Sequence, residues 1–228
     1  MQSVAKSSAK PSGNKYRGTD LSQNSLAYNK LKQLITTLVY KPGGSLNITE
    51  LMHDLALGRT PINHALHRLS SEGLVHIIPR KGVMVTPLSI DSALELIEVR
   101  IANESLCVRL AAEKITGNQL QELERLIQAF ENAVAERDME AAINIDRLFH
   151  EQIALASRNT VLSDFLKVIH ARSQRFWATS LASEVHLHEV FIEHRAIRDA
   201  LAVGDAAKAV AAVEGHVESF KQSLLRLR

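Results

Sequence analysis

Apolar residues at Leu26, Tyr28, Leu31, Leu34, Ile35 and Leu38 recur at helical spacing, and the run stops before the Lys-Pro-Gly-Gly break at 41–44. The pattern predicts a first helix from Ser25. Asn47, with Glu50 three residues on, can satisfy free amides at the start of a second helix that turns Ile48, Leu51, Met52 and Leu55 inward. A third helix is expected from Arg59 to Gly73. Pro61 falls in its first turn, where a missing N–H costs nothing, and Ile62, Leu66 and Leu69 form its buried face. The period then shortens. Val75 to Ile78 and Val83 to Val85 read as the strands of a hairpin whose tip carries Arg80 and Lys81. Three short helices followed by a basic-tipped hairpin is the order of a winged helix-turn-helix.

Beyond Pro87 every segment has a helical period and no further strand signal occurs. A long helix from Ser89 or Asp91 to Lys114 carries a wide apolar face that includes Leu94, Ile97, Ile101 and Val108. Capping signals at Thr116, Asp138, Asn159 and Asp205 start further helices, expected over 116–136, 138–156, 160–178, 184–203 and 205–226. Six helices in this length predict an antiparallel bundle. The fold class is therefore mainly α: a winged helix-turn-helix head over 23–87 and a helical bundle over 88–228. Residues 1–22, rich in Ser, Lys and Gly, are expected to form a disordered basic arm.

Charge sharpens this division. Residues 1–88 hold 11 Lys and Arg against 4 Asp and Glu, while residues 89–228 hold 16 against 21. A basic head on an acidic body suits phosphate binding by the head alone. The single cysteine, Cys107, excludes a disulfide framework, and in its apolar helical run it reads as a buried small hydrophobe. No apolar stretch is long enough for a membrane span or a secretory signal, so a cytoplasmic protein is expected.

The third helix opens with polar and basic residues, as a helix laid in the major groove requires. Arg59 can present a planar fork to guanine, Asn63 can pair with adenine, and Thr60 can bond a phosphate. His64, His67 and Arg68 extend the polar face. At the hairpin tip Arg80 and Lys81 can reach a minor groove, with Gly82 permitting close approach. The stretch from Leu31 to Pro87 resembles the GntR family of regulators, sharing R-T-P, A-L-x-x-L and E-G-L-V in register. It departs from that pattern at Ala56, where the family has Gly, at Gly58, where it has Ser, and at Asn63 and His64, where it has Arg-Glu.

In the second half, Asp146 and His150 lie four apart and so share one helix face, a spacing that suits a metal site but that by itself a plain surface Asp–His contact explains better. His194 and His216 each sit beside core-facing apolar positions. The run DRLFH, EHRAIRDALAVGD and GH resembles the FCD effector domain of the FadR branch, over residues 90 to 225. That resemblance implies that Asp146, His150, His194 and His216 hold a divalent metal, with zinc the first choice and nickel also suited to three imidazoles and a carboxylate. It further implies that Arg100, in an E-V-R run, faces the cavity and holds an effector carboxylate. Arg172 and Arg175, in HARSQRFW, are weaker effector candidates and read more readily as surface or interface charges. His170, and the alternating pair His186 and His188, stand apart from this set. Six helices resemble the VanR-type subgroup, whose members often govern catabolism of aromatic or other small carboxylic acids.

The expected protein is thus a ligand-responsive repressor rather than an enzyme. It acts as a homodimer on a pseudo-palindromic double-stranded DNA operator, with a small carboxylate as effector. Two alternatives stay open at this level: a constitutive DNA binder with a structural metal, and a metal-dependent hydrolase.

Overall fold

The computed structural model describes residues 17–180 and 184–226. The head comprises helices α1 (Arg17–Thr36), α2 (Ile48–Leu55) and α3 (Arg59–Ser71) and strands β1 (Ser45–Leu46), β2 (Val75–Ile78) and β3 (Gly82–Val85). The sheet is antiparallel in the order β1-β3-β2, with Val75 opposite Val85 and Ile78 opposite Gly82. β1 escaped the sequence reading because two residues cannot show a period. It joins the wing through Ser45 opposite Met84 and Leu46 opposite Val83.

Helix α1 begins at Arg17, inside the stretch 1–22 expected to form the arm, and residues 1–16 of that stretch lie outside the described residues. The polar stretch from Arg17 extends a helix already anchored by Ala27, Leu31 and Ile35, because propagation costs little once a nucleus is packed. Asn47 caps α2 by accepting from the Thr49 amide at 2.9 Å. Its Nδ2 reaches Glu50 at 3.3 Å, so the two side chains meet each other.

One buried carboxylate ties α1 to α3. Glu72 accepts from the Tyr28 hydroxyl at 2.7 Å, from Lys32 Nζ at 2.9 Å and from Arg68 Nε at 3.3 Å. Arg68 also lies 3.6 Å from the centre of the Tyr28 ring, a cation–π contact. Arg68, itself largely exposed on α3, thus helps hold α1 against the end of that helix.

The body consists of α4 (Ile90–Lys114), α5 (Gly117–Ala135), α6 (Met139–Ala156), α7 (Thr160–Ser180), α8 (Glu184–Ala202) and α9 (Ala206–Leu225). Local caps set most of these starts. Ser89, Thr116, Asp138 and Asp205 accept from amides in the first turns of α4, α5, α6 and α9, and Thr116 with Gln119 completes a reciprocal capping box. α4 runs through the middle, against α9, α7, α6 and α8. Two apolar clusters fill the bundle, one around Val108, Phe149 and Ile197 and one around Phe130, Trp177 and Phe220.

Head and body meet along α7. Ala171 is buried in the head's own core, and Arg172 lies against Gly73. Arg175, 2% exposed, donates to the Thr86 carbonyl at the end of the wing. Gln33 on α1 donates to Glu140 on α6 at 3.0 Å.

Candidate metal centre

On the head, Arg59, Thr60 and His64 are exposed and Asn63 is half-buried, all on the first turns of α3. Gly58 precedes them without a side-chain cap, which leaves the amides of the first turn open to a phosphate. Arg80, at φ 64°, turns the exposed hairpin tip that also carries Lys81 and Gly82. The structure thus brings all seven residues singled out for DNA to solvent at the helix start and the wing tip.

In the body, α6, α8 and α9 carry four side chains to one point. One donor atom from each of Asp146, His150, His194 and His216 lies within 4.8 Å of the others. Asp146 Oδ1 is 3.7 Å from His150 Nε2 and 3.4 Å from His194 Nε2. The three imidazoles form a triangle, with ring centres 5.1 to 5.5 Å apart. Each ring is fixed from behind. His216 Nδ1 meets Glu193 Oε2 at 2.8 Å, His150 Nδ1 approaches Glu104 Oε2 at 3.5 Å, and His194 stacks on Phe149 at 4.1 Å.

The donor set fits a divalent cation. His194 Nε2 is fully buried and makes no hydrogen bond, the condition of a lone pair waiting for a positive partner. Burial pushes the His150 imidazolium pKa down to about 4 against the pull of Glu104 and Asp146, and pushes His194 down as well. Burial opposes ionisation of Asp146, but the close approach of His194 and the pull of the surrounding histidines outweigh it and hold its carboxyl below the usual range. A neutral His150 and His194 beside an anionic Asp146 are in the protonation state a metal takes. A Glu193–His216 contact behind the centre is a common supporting arrangement for a ligating histidine.

Two residues that sequence reasoning left out belong to this neighbourhood. His170 comes from α7, with Nε2 3.1 Å from Glu104 Oε1 though outside hydrogen-bond geometry, and Glu104 also receives Arg100 Nε at 2.6 Å. Glu104 stays anionic despite full burial because Arg100, and after it His170, outweigh the desolvation. Glu104, His150 and His170 form a second possible donor group. The Arg100 guanidinium against Glu104 already neutralises it and repels a second cation. No local spacing joins residues on α4 and α7, so only the fold could show this group.

A small cavity adjoins the centre, lined by Arg100, Asp146, Arg147, His150, His170, Ser173, Gln174, Trp177, Val190, His216 and Phe220. Its volume is about 30 Å³. Arg100 therefore lines it as expected, although its Nε is committed to Glu104. Arg172 and Arg175 do not line it, because their positions on α7 face the head. Their reading as effector-binding residues gives way to a role at the interface. His188 is exposed, and the side chain of His186 lies outside the described residues.

A family model of the FCD domain matches residues 95–219, and one of the bacterial regulatory proteins of the gntR family matches residues 23–85. The chain belongs to the GntR family and carries an FCD domain. The head of this GntR-family protein is thus a DNA-binding domain, and the chain is a transcriptional regulator rather than an enzyme. It is 28% identical over 172 residues to the uncharacterized HTH-type transcriptional regulator YdhC of Bacillus subtilis (strain 168), covering 75% of this chain and 76% of that one. To the HTH-type transcriptional regulator McbR of Escherichia coli (strain K12) it is 30% identical over 144 residues, 63% of this chain and 65% of that one. The solved structure of E. coli McbR/YncC superposes with a TM-score of 0.83 over 90% of this chain and 98% of that one. At 24% identity that likeness concerns the fold. No helix among the described residues is long and apolar enough to cross a membrane.

Proposed function

We propose that this regulator is a homodimeric repressor of a catabolic operon, with a divalent metal in its bundle and a small carboxylate, aromatic or otherwise, as its effector. Asp146, His150, His194 and His216 hold the metal, zinc in the first instance and nickel as the other suited ion. When bound, the metal supplies a Lewis-acidic point for a carboxylate oxygen. Arg100 lies along the same cavity as a second positive partner. The observation that carries this reading is the convergence of four donors from three helices, the three histidines buried and one of them, His194 Nε2, without a hydrogen bond.

Arg59, Thr60, Asn63 and His64 enter a major groove, while Arg80, Lys81 and Gly82 follow the adjacent backbone and minor groove. A two-fold dimer sets two such heads on a pseudo-palindrome. Effector binding changes DNA affinity only if it favours one placement of the head over another. α7 is suited to that task, since one of its faces lines the cavity and another holds the head.

Metal analysis of the purified protein tests the centre. His194→Ala is expected to lower occupancy while the head stays folded, and an unchanged metal content would strike His194 from the ligand set. Arg59→Ala is expected to weaken specific operator binding by about 1–3 kcal/mol and non-specific binding less. A cavity of about 30 Å³ favours a second reading, a constitutive DNA binder with a structural metal. That reading expects operator affinity to be the same with and without metal or carboxylates.

A further inference from the structure

The cavity beside the metal centre has room for about one or two water-sized groups, too little for a whole organic acid. It is not closed, however. Arg147, His170 and Gln174 line it and also line a cleft of about 690 Å³ between α1 and α3 of the head and α6 and α7 of the body. These three residues form the wall that the two spaces share. A cleft of this size falls within the range of small-molecule sites.

Gln174 is distinctive on that wall. It is 7% exposed, and its Nε2 donates to the Ile143 carbonyl at 2.9 Å, which fixes the orientation of the amide. Its Oε1 is consequently the group left over, buried and without a hydrogen-bond partner. The neighbouring Ser173 Oγ, on the cavity wall, is also buried and unpartnered. A buried acceptor without a donor is costly, and a ligand that supplies the donor recovers that cost.

Building on the ligand site proposed above, we infer that Gln174 is a specificity residue: its Oε1 accepts from a hydroxyl or amino group that the effector carries beside its carboxylate. The carboxylate end lies at the metal and Arg100, the donor sits at Gln174, and the remainder extends into the head–body cleft. The ligand class is then a hydroxy or amino carboxylic acid rather than a plain one. A site built to bond a hydroxyl discriminates strongly against the analogue that lacks it, because its own polar group is then stranded.

The experiment is calorimetric titration of the full-length, zinc-loaded protein with pairs that differ by one hydroxyl: lactate against propionate, and malate against succinate. The hydroxylated member of each pair is expected to bind about tenfold tighter or more. In Gln174→Met the preference is expected to shrink to about threefold or less while zinc content stays unchanged. Equal binding within the pairs, or a preference that survives in Gln174→Met, would overturn the assignment, as would zinc-loaded protein that binds none of the four acids. The wild-type comparison decides the matter even if the variant fails to fold. Protein that retains no zinc would instead remove the metal reading on which this assignment stands.

Discussion

Ala56 occupies the left-handed region at φ 52° and ψ 43°, at the turn between the two helices of the DNA-reading motif. Its methyl group is strained there, by about 1–2 kcal/mol, whereas glycine is not. Ala56→Gly is therefore expected to raise head stability by up to about 1 kcal/mol, after the extra chain entropy of glycine is subtracted, as measured by urea denaturation. Behind the metal centre, Glu193→Gln is expected to cost about 10- to 100-fold in zinc affinity, read by competition with a chromophoric chelator. His150 gives a pH prediction. In the unfolded chain it takes up a proton below about 6.5, but in the folded metal-free protein only near about 4. Its contribution to stability is thus intact above pH 6.5 and is lost as the pH falls towards 4. Thermal unfolding in the presence of chelator should show that decline, with a shallower slope in His150→Gln. At this scale the sequence was informative where a residue acts through near neighbours. Asp146 and His150 share a helix face by spacing alone. Glu104, His170 and Glu193 do not, since their partners come from other helices.

Among the elements, α7 has the most divided role. His170, Gln174 and Trp177 face the cavity, while Ala171, Arg172 and Arg175 face the head. Successive residues of a helix point about 100° apart, so positions 170, 174 and 177 share one face and 171 and 175 the next. Arg175→Met removes a charge-assisted bond to the Thr86 carbonyl, and about 1.5–3 kcal/mol of the head–body contact is expected to go with it. The expected outcome is operator affinity that no longer changes when metal is added or removed, followed by fluorescence anisotropy of labelled DNA. An undiminished metal response would mean that coupling runs elsewhere. The helix boundaries were readable because caps are local: Thr116 with Gln119, Asp138 and Asp205 each announce a start within four residues. The rotation of α7 about its axis was not readable, because it is set by packing against both domains. Arginines 172 and 175, read as weak cavity candidates and more readily as interface charges, take the interface role.

For the whole molecule, the uneven charge and the order of helices and hairpin were enough to separate head from body. How the two are joined was not legible in composition. Lys81→Ala, at the exposed wing tip, is expected to lower the slope of log affinity against log salt by about one while leaving sequence preference in place. Gel-shift titrations over a range of salt concentrations would show it. Cys107 provides a test of bundle integrity, since burial pushes its thiol pKa up to about 12. The native protein should resist thiol reagents until it unfolds.

The bond from Arg175 to the Thr86 carbonyl has a geometric consequence. Thr86 also donates its amide to the Leu74 carbonyl at 3.0 Å, so the chain leaving the wing is pinned on both sides before α4 begins. Such a junction is a bracket rather than a tether. In a two-fold assembly each reading helix would then be held at a set distance and angle from its mate, like the two points of a fixed caliper. Inserting one base pair between operator half-sites rotates one site by roughly 34–36° relative to the other. A caliper cannot follow that rotation, so a single inserted base pair should cost far more affinity than a substitution at the same place.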